Sequence, residues 1–250
     1  MRRAALLVAG CAALTAFAGE TPPPFEVRAE VQRENLDHGQ PDWREDLLQF
    51  AWKPRRDTSL SAGARATERF DLKDREGFAA VYVPIVERTV LHLEASGSST
   101  HHVLPKGMGL AEIAVPFGSG WVASLGGRYS RYETGNVRMA NGTLEKYIGD
   151  YRLAYTGYLS RPQGAGWTPA HRFVASWYRG TLTFITLSYA TGREVESLPG
   201  GLLVTDVRGV SLAGGYELQP SWGLTLEVGQ VRQGDLYTRR GVRIGTRVLF

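Results

Sequence analysis

The residues best suited to chemistry in this sequence are arginines interleaved with aspartate, histidine and tyrosine: His102, Arg128, Arg161, Asp206, Arg208, Arg232, Asp235, Tyr237, Arg239 and Arg240. A guanidinium forks two hydrogen bonds onto a carboxylate or phosphate, and neighbouring Asp and Tyr groups fix its orientation. Gathered around one opening, these side chains would bind an anionic solute, a glycan or a lipid phosphate. The same set would equally serve as an ion-pair network that braces loops against one another, and such structural networks are common.

Covalent chemistry is less well supported. His102 and His171, with Ser160 and Asp206, supply the types for a Ser–His or Asp–His pairing. No His-x-Ser-Asn pattern accompanies them, so no catalytic residue is assigned and an enzyme is disfavoured. His92 and Glu94 share a face in an alternating segment and read as wall lining. Adjacent His101 and His102 point to opposite sides of an extended chain, which is poor geometry for a metal, and none is assigned. No nucleotide-binding glycine motif is present and no cofactor is implied. The formal charge of +4 is spread along the chain, which does not suit a nucleic-acid partner.

The segments carrying these residues alternate apolar and polar side chains with a period of two, in stretches of about ten, as transmembrane β-strands do. Fourteen strands are predicted, near 25–34, 43–52, 58–69, 77–85, 89–95, 108–117, 121–132, 143–149, 151–160, 170–178, 181–190, 206–218, 222–232 and 241–250. Twelve is the competing count. Longer connections (36–42, 70–76, 96–107, 133–142, 161–169, 191–205, 233–240) alternate with tight turns. That rhythm belongs to a single antiparallel up-and-down barrel with long loops on one side and both ends on the other, periplasmic, side. Trp43, Trp52, Trp121, Trp177 and Trp222 fall at or near strand ends, as expected of an interfacial aromatic girdle. In 222–229 the Leu and Val residues oppose Thr225, Glu227 and Gly229, and in 58–69 alanines oppose serines and Arg65. Small and charged residues on the second face suit a wet lumen, with the apolar face toward lipid.

Residues 1–18 read as a cleavable secretory signal: Arg2 and Arg3, an apolar run from Ala4 to Thr15, then Ala16-Phe17-Ala18, placing the mature start at Gly19. Val8-Ala9-Gly10-Cys11 offers a weaker lipoprotein alternative. The one cysteine, Cys11, would leave with the signal, so the barrel of residues 19–250 has no internal disulfide. At the other end Arg243, Gly245, Val248 and Phe250 resemble the C-terminal signal read by the outer-membrane barrel assembly machinery, which is therefore an expected partner.

Four stretches resemble the YaiO family of outer-membrane β-barrels: His101-His102-Val103-Leu104-Pro105, Tyr158-Leu159-Ser160-Arg161-Pro162, Leu203-Val204-Thr205-Asp206-Val207-Arg208, and Arg232 through Arg243. The resemblance implies an antiparallel barrel in the outer membrane of a Gram-negative bacterium. It brings no reaction, substrate or cofactor. The leading functional expectation is a passive or gated pore for small polar solutes. Arg65, Arg128, Arg208, Arg232, Glu227 and Asp235 would line its lumen or mouth, and their arginine excess would favour anions. The alternative is a plugged barrel that binds lipopolysaccharide or exported polysaccharide, with residues 191–205 as the plug. A lipid- or glycan-modifying surface enzyme is the third reading.

Overall fold

Alternation sets a strand only where each residue also finds a ladder partner, and every predicted segment finds one. In the computed structural model, which describes residues 24–55, 57–86, 88–198 and 201–250, the chain runs through fourteen strands. These are β1 (Phe25–Leu36), β2 (Trp43–Arg55), β3 (Thr58–Arg69), β4 (Leu72–Val86), β5 (Thr89–Ser98), β6 (Gly107–Phe117) and β7 (Trp121–Arg131). They continue as β8 (Asn136–Ile148), β9 (Tyr151–Pro162), β10 (Thr168–Arg179), β11 (Thr183–Leu198), β12 (Gly201–Gln219), β13 (Trp222–Gln233) and β14 (Tyr237–Leu249). The signal segment and the processing site lie outside the described residues.

Each strand pairs antiparallel with its sequence neighbours, and β1 pairs with β14 from Glu26↔Leu249 to Leu36↔Arg239, closing the barrel. Phe25 N–H donates to the Phe250 carbonyl at 2.9 Å, Phe250 N–H returns the bond at 3.0 Å, and the two rings stack. Closure removes every sheet edge, the condition for placing backbone in lipid.

The faces are inverted relative to a water-soluble barrel. Leu48, Phe50 and Trp52 on β2, Leu125 and Tyr129 on β7, and Leu224, Leu226 and Val228 on β13 are exposed outward. Glu26, Glu30, Gln32 and Glu34 on β1, Glu76 on β4 and Glu145 on β8 are buried inward. On β9 the outward apolar run from Tyr151 to Leu159 covers nine residues. Tilted as barrel strands are, that spans roughly 23 Å, close to the apolar band of an outer membrane.

The large departures of strand ends from expectation all lie on one side. β4 starts at Leu72, β8 at Asn136, β11 continues to Leu198 and β12 begins at Gly201. The expected loop 70–76 is a two-residue turn, with Phe70 and Asp71 both at positive φ (53° and 61°). A bulky residue rarely adopts that conformation; here the Phe70 ring is held against Trp43 at 5.2 Å. Outside the apolar band, ladder pairing no longer requires an apolar outward face, so the alternation stops while the strand goes on. The asymmetry between the barrel's two ends therefore lies in strand overhang more than in loop length.

Candidate functional site at the loop-side mouth

The overhanging β11–β12 hairpin does not stand up from the rim. Gly192 has φ +132°, and a Cβ there would overlap the Ala170 backbone on β10, so only glycine lets the hairpin turn at that level. Beyond it, Glu196 is completely buried and its Oε1 accepts a hydrogen bond from the Tyr237 hydroxyl of β14 at 2.7 Å. The side-chain amide of buried Gln233 donates to the Thr205 hydroxyl. On its far side Leu202 comes close to Gly135 in the β7–β8 loop; its Cδ1 would lie 3.6 Å from a Cβ at that position. A hairpin that reaches both β14 and the β7–β8 loop lies across the mouth.

Tyr237 is held in turn by an aromatic cluster. Trp43 packs edge-on against Tyr237 (5.7 Å) and Phe70, and the guanidinium groups of Arg69 and Arg239 lie 4.8 and 5.0 Å from the Trp43 ring centroid. Cation–π contact of this kind strengthens where water is excluded. Trp43 therefore points inward and is buried, which corrects its expected place in the interfacial girdle. Trp52, Trp121 and Trp222 do face outward.

A second closure comes from the β5–β6 loop. Asp74, 1% exposed, points inward from β4 and its carboxylate accepts the backbone N–H groups of His102 (3.0 Å), Val103 (2.7 Å) and Leu104 (2.8 Å). The His102 ring nitrogen Nδ1 lies 3.0 Å from the same carboxylate. Because the acceptor is inside the wall, the loop that donates to it is drawn inside, and Val103 and Leu104 are buried there. Lys106 and His101 pair with Glu133 of the β7–β8 loop, tying the two loops together. The hydrogen bond from Lys106, and the positive charges of Lys106 and His101, hold the Glu133 carboxyl below the usual carboxylate range.

Below the mouth the inner wall is zipped by ion pairs along the β1–β14 seam. Arg247 binds Glu26 with two parallel hydrogen bonds of 3.0 Å, Arg243 lies 3.9 Å from Glu30, and Arg239 lies 3.6 Å from Glu34. Arg243 also contacts Glu227 at 3.2 Å and donates to Gln32 at 2.7 Å. Gly241 and Gly245 make room for this zipper, since a Cβ would meet Glu34 Cγ at 2.5 Å and Glu30 Cγ at 2.8 Å. A cavity of about 70 Å³ remains beside the zipper, lined by Glu34, Glu194, Glu227, Arg239 and Arg243 among others.

The residues singled out from sequence divide by where they point. Arg65, Arg128, Glu227, Tyr237, Arg239, Arg243 and Gly245 face inward. Arg65 pairs with Glu76 at 3.1 Å, and Arg128 contacts the Met139 sulfur at 3.2 Å. His102 is fixed on Asp74. Arg161, Arg208, Arg232 and Arg240 face outward above the apolar band, with Val248 and Phe250 outward at the opposite end. Arg208 and Arg232 are therefore corrected as lumen residues: they oppose each other across β12 and β13 with the parity of the lipid-facing Leu212 and Leu226. Asp206 and Asp235 are exposed and lie near Arg193 (3.7 Å) and Arg232 (3.2 Å), so Asp235 does not line the lumen either. The expected arginine excess inside is also corrected, because the inward arginines meet a carboxylate ladder. Sequence reasoning missed Glu196, Asp74, Trp43 and Glu26-Glu30-Glu34; the last recur every four residues, as do Arg239-Arg243-Arg247.

A closed barrel with an apolar face toward lipid, a polar interior and a covered mouth is an outer-membrane β-barrel. The sequence matches the YaiO membrane beta barrel domain over residues 25–197, and the chain belongs to that family. No curated protein matches it in sequence. Similar solved structures include the CymD monoaromatic hydrocarbon channel (TM-score 0.60, 7% identity, covering 92% of this chain and 89% of that one). A bacterial polysaccharide outer membrane secretin has TM-score 0.58 at 9% identity (92% and 100% covered), and Omp33 of Acinetobacter baumannii 0.57 at 12% (92% and 99%). At these identities the likeness is one of fold.

Proposed function

We propose that this protein is a gated pore of the Gram-negative outer membrane for small polar solutes, captured here with its mouth closed. One observation carries the reading: the β11–β12 hairpin lies across the mouth and is latched by the Tyr237–Glu196 hydrogen bond. A permanent plug would be expected to bury an apolar face. This one is held in part by a buried hydroxyl–carboxylate contact and a Gln233–Thr205 bond, both of which can exchange for water, and it turns on a glycine. A channel, CymD, is among the structures of similar fold, which supports the pore reading. The chain would reach the membrane by its cleavable signal and be inserted by the barrel assembly machinery through Arg243, Gly245, Val248 and Phe250. Because the inner charges along the β1–β14 seam are paired, solute choice beside that seam would rest on size and hydrogen bonding more than on net charge. This replaces the expected anion bias.

The test is single-channel conductance of the refolded mature barrel in planar bilayers. Native protein is expected to show rare, brief openings. Tyr237→Phe removes the latch donor and strands a buried carboxylate oxygen, at a cost to the closed state of about 1–3 kcal/mol, so openings should rise roughly tenfold or more. Silence in both, with a folded barrel verified by heat-modifiable gel mobility, would favour the plugged-barrel alternative.

A further inference from the structure

Outside the wall, three neighbouring strands carry arginines that the pore reading does not use. Arg138 on β8 lies directly opposite Arg161 on β9 and opposite Tyr129 on β7, and Arg131 is two residues beyond Tyr129. All three arginines are exposed. Like charges at directly opposed positions repel, yet among the described residues none of the three forms an ion pair with a carboxylate. Arg161 donates to the Ala165 carbonyl at 3.3 Å and lies over the Trp167 ring. The nearest acidic residue in sequence, Glu133, is committed to Lys106 and His101. Their level is equally specific. Arg131 and Arg161 are the first outward charged residues beyond the apolar runs Trp121–Tyr129 and Tyr151–Leu159. With both barrel ends on the periplasmic side, this is the headgroup level of the outer leaflet.

Next to these arginines the lipid-facing wall is hollow. Ala62, Ala79, Ala95 and Gly109 occupy one row of register partners across β3 to β6, flanked by Phe50 on β2 and Tyr129 on β7. With Ala111 and Gly127 below they line an apolar groove on this face. Tyr129 adjoins both features, as the partner of Gly109 on one side and of Arg138 on the other.

We propose that this wall is a docking site for lipid A, with acyl chains in the β3–β7 groove and phosphates on Arg131, Arg138 and Arg161. The inference rests on the outer-membrane orientation and is independent of whether the pore opens. An outer-leaflet lipid with more than one phosphate supplies the charge the arginine trio lacks. Guanidinium suits phosphate because it donates in a fork. Several acyl chains suit a groove too wide for one. The small side chains let those chains approach the backbone closely, as small residues do at membrane packing surfaces.

Native mass spectrometry of the refolded mature barrel, with diphosphoryl lipid A and phosphatidylcholine as competing probes, tests this. The barrel is expected to retain lipid A at least tenfold more strongly than phosphatidylcholine, and R131Q/R138Q/R161Q to lose that preference. R33Q/R44Q removes two outward arginines on β1 and β2 that sit near Asp46, and should keep it. A95L/G109L, which fills the groove and leaves the arginines, should weaken lipid A retention severalfold. The single variant R138Q relieves the repulsion, so it should fold at least as well as the native chain and still lose part of the preference. Equal retention of both lipids by the native barrel, or an unchanged preference in the triple variant or in R138Q, would overturn the proposal. Conductance of R131Q/R138Q/R161Q should equal that of the native barrel, which separates this outcome from failure of the pore reading.

Discussion

Gly245 shows how one atom's absence can serve the inner wall. It faces inward opposite Glu30, where a Cβ would lie 2.8 Å from Glu30 Cγ, 2.7 Å from the Thr225 hydroxyl and 3.0 Å from the Ala29 carbonyl. Two of those neighbours can shift; the backbone carbonyl cannot shift without disturbing the closing strand pair. Gly245→Ala should therefore destabilise the barrel by about 1–3 kcal/mol, the usual range for overpacking. This is measurable as a lower urea midpoint in refolding followed by gel mobility. If instead Gly245 matters only to the assembly machinery, refolding in detergent would match the native chain and only membrane insertion in cells would fall. The sequence shows the glycine in a polar-faced strand but cannot show its reason, because Glu30 is more than two hundred residues away. Other residue roles were legible. The parity of Arg232 follows from the same alternation that places Leu224, Leu226 and Val228 toward lipid, so its outward position could have been read directly. Glu196 offered no such cue: it is one of two acids, with Glu194, in a glycine- and proline-bearing loop, and gives no sign of being buried until Tyr237 is brought beside it.

Among the elements, the strands were readable wherever lipid dictates the outward face and unreadable beyond it. All fourteen occur where the alternation put them, and the misplaced ends (72 for 77, 136 for 143, 198 and 201 in place of a 191–205 loop) lie in the overhang. The overhang is also where the proposed gating resides. Replacing residues 194–203 by a two-residue turn should leave the barrel folded, since shortening a surface connection changes closure entropy little. It should turn rare openings into a steady conductance in planar bilayers. A folded but silent truncation would mean that the β5–β6 loop alone closes the mouth. That loop has its own dependence on pH through the Lys106–Glu133–His101 brace. A carboxyl held below its ordinary value of about 4.3 supports the brace above that pH, and the support is lost as pH falls through the depressed value. Hydrogen exchange at His102, Val103 and Leu104, corrected for intrinsic rates, should therefore rise severalfold on acidification. In Glu133→Gln it should already be raised at neutral pH, and the brace is refuted if that variant exchanges like the native chain.

On the scale of the whole barrel, charge is organised by closure. The strands most distant in sequence carry complementary ladders, Glu26-Glu30-Glu34 on β1 and Arg239-Arg243-Arg247 on β14, and they meet only when the sheet becomes a cylinder. Each partner compensates the other, which lowers the cost of burying charge and leaves this seam of the inner wall with little net field to sort ions. A tenfold salt gradient across bilayers holding the hairpin-truncated barrel should then give a reversal potential that is a small fraction of the about 59 mV of a perfectly selective pore. Arg243 is the sensitive point, because it serves Glu30, Glu227 and Gln32 together. Arg243→Gln would leave Glu227 without that cation and Glu30 with Arg28 as its remaining one. Acidic groups short of a partner on the inner wall select cations, so the reversal potential should move toward cation preference while Arg131→Gln, outside the wall, leaves it in place. A pronounced anion preference in the truncated native barrel would show that unpaired arginines, and not the seam zipper, govern the path, and would restore the selectivity that arginine content alone suggests.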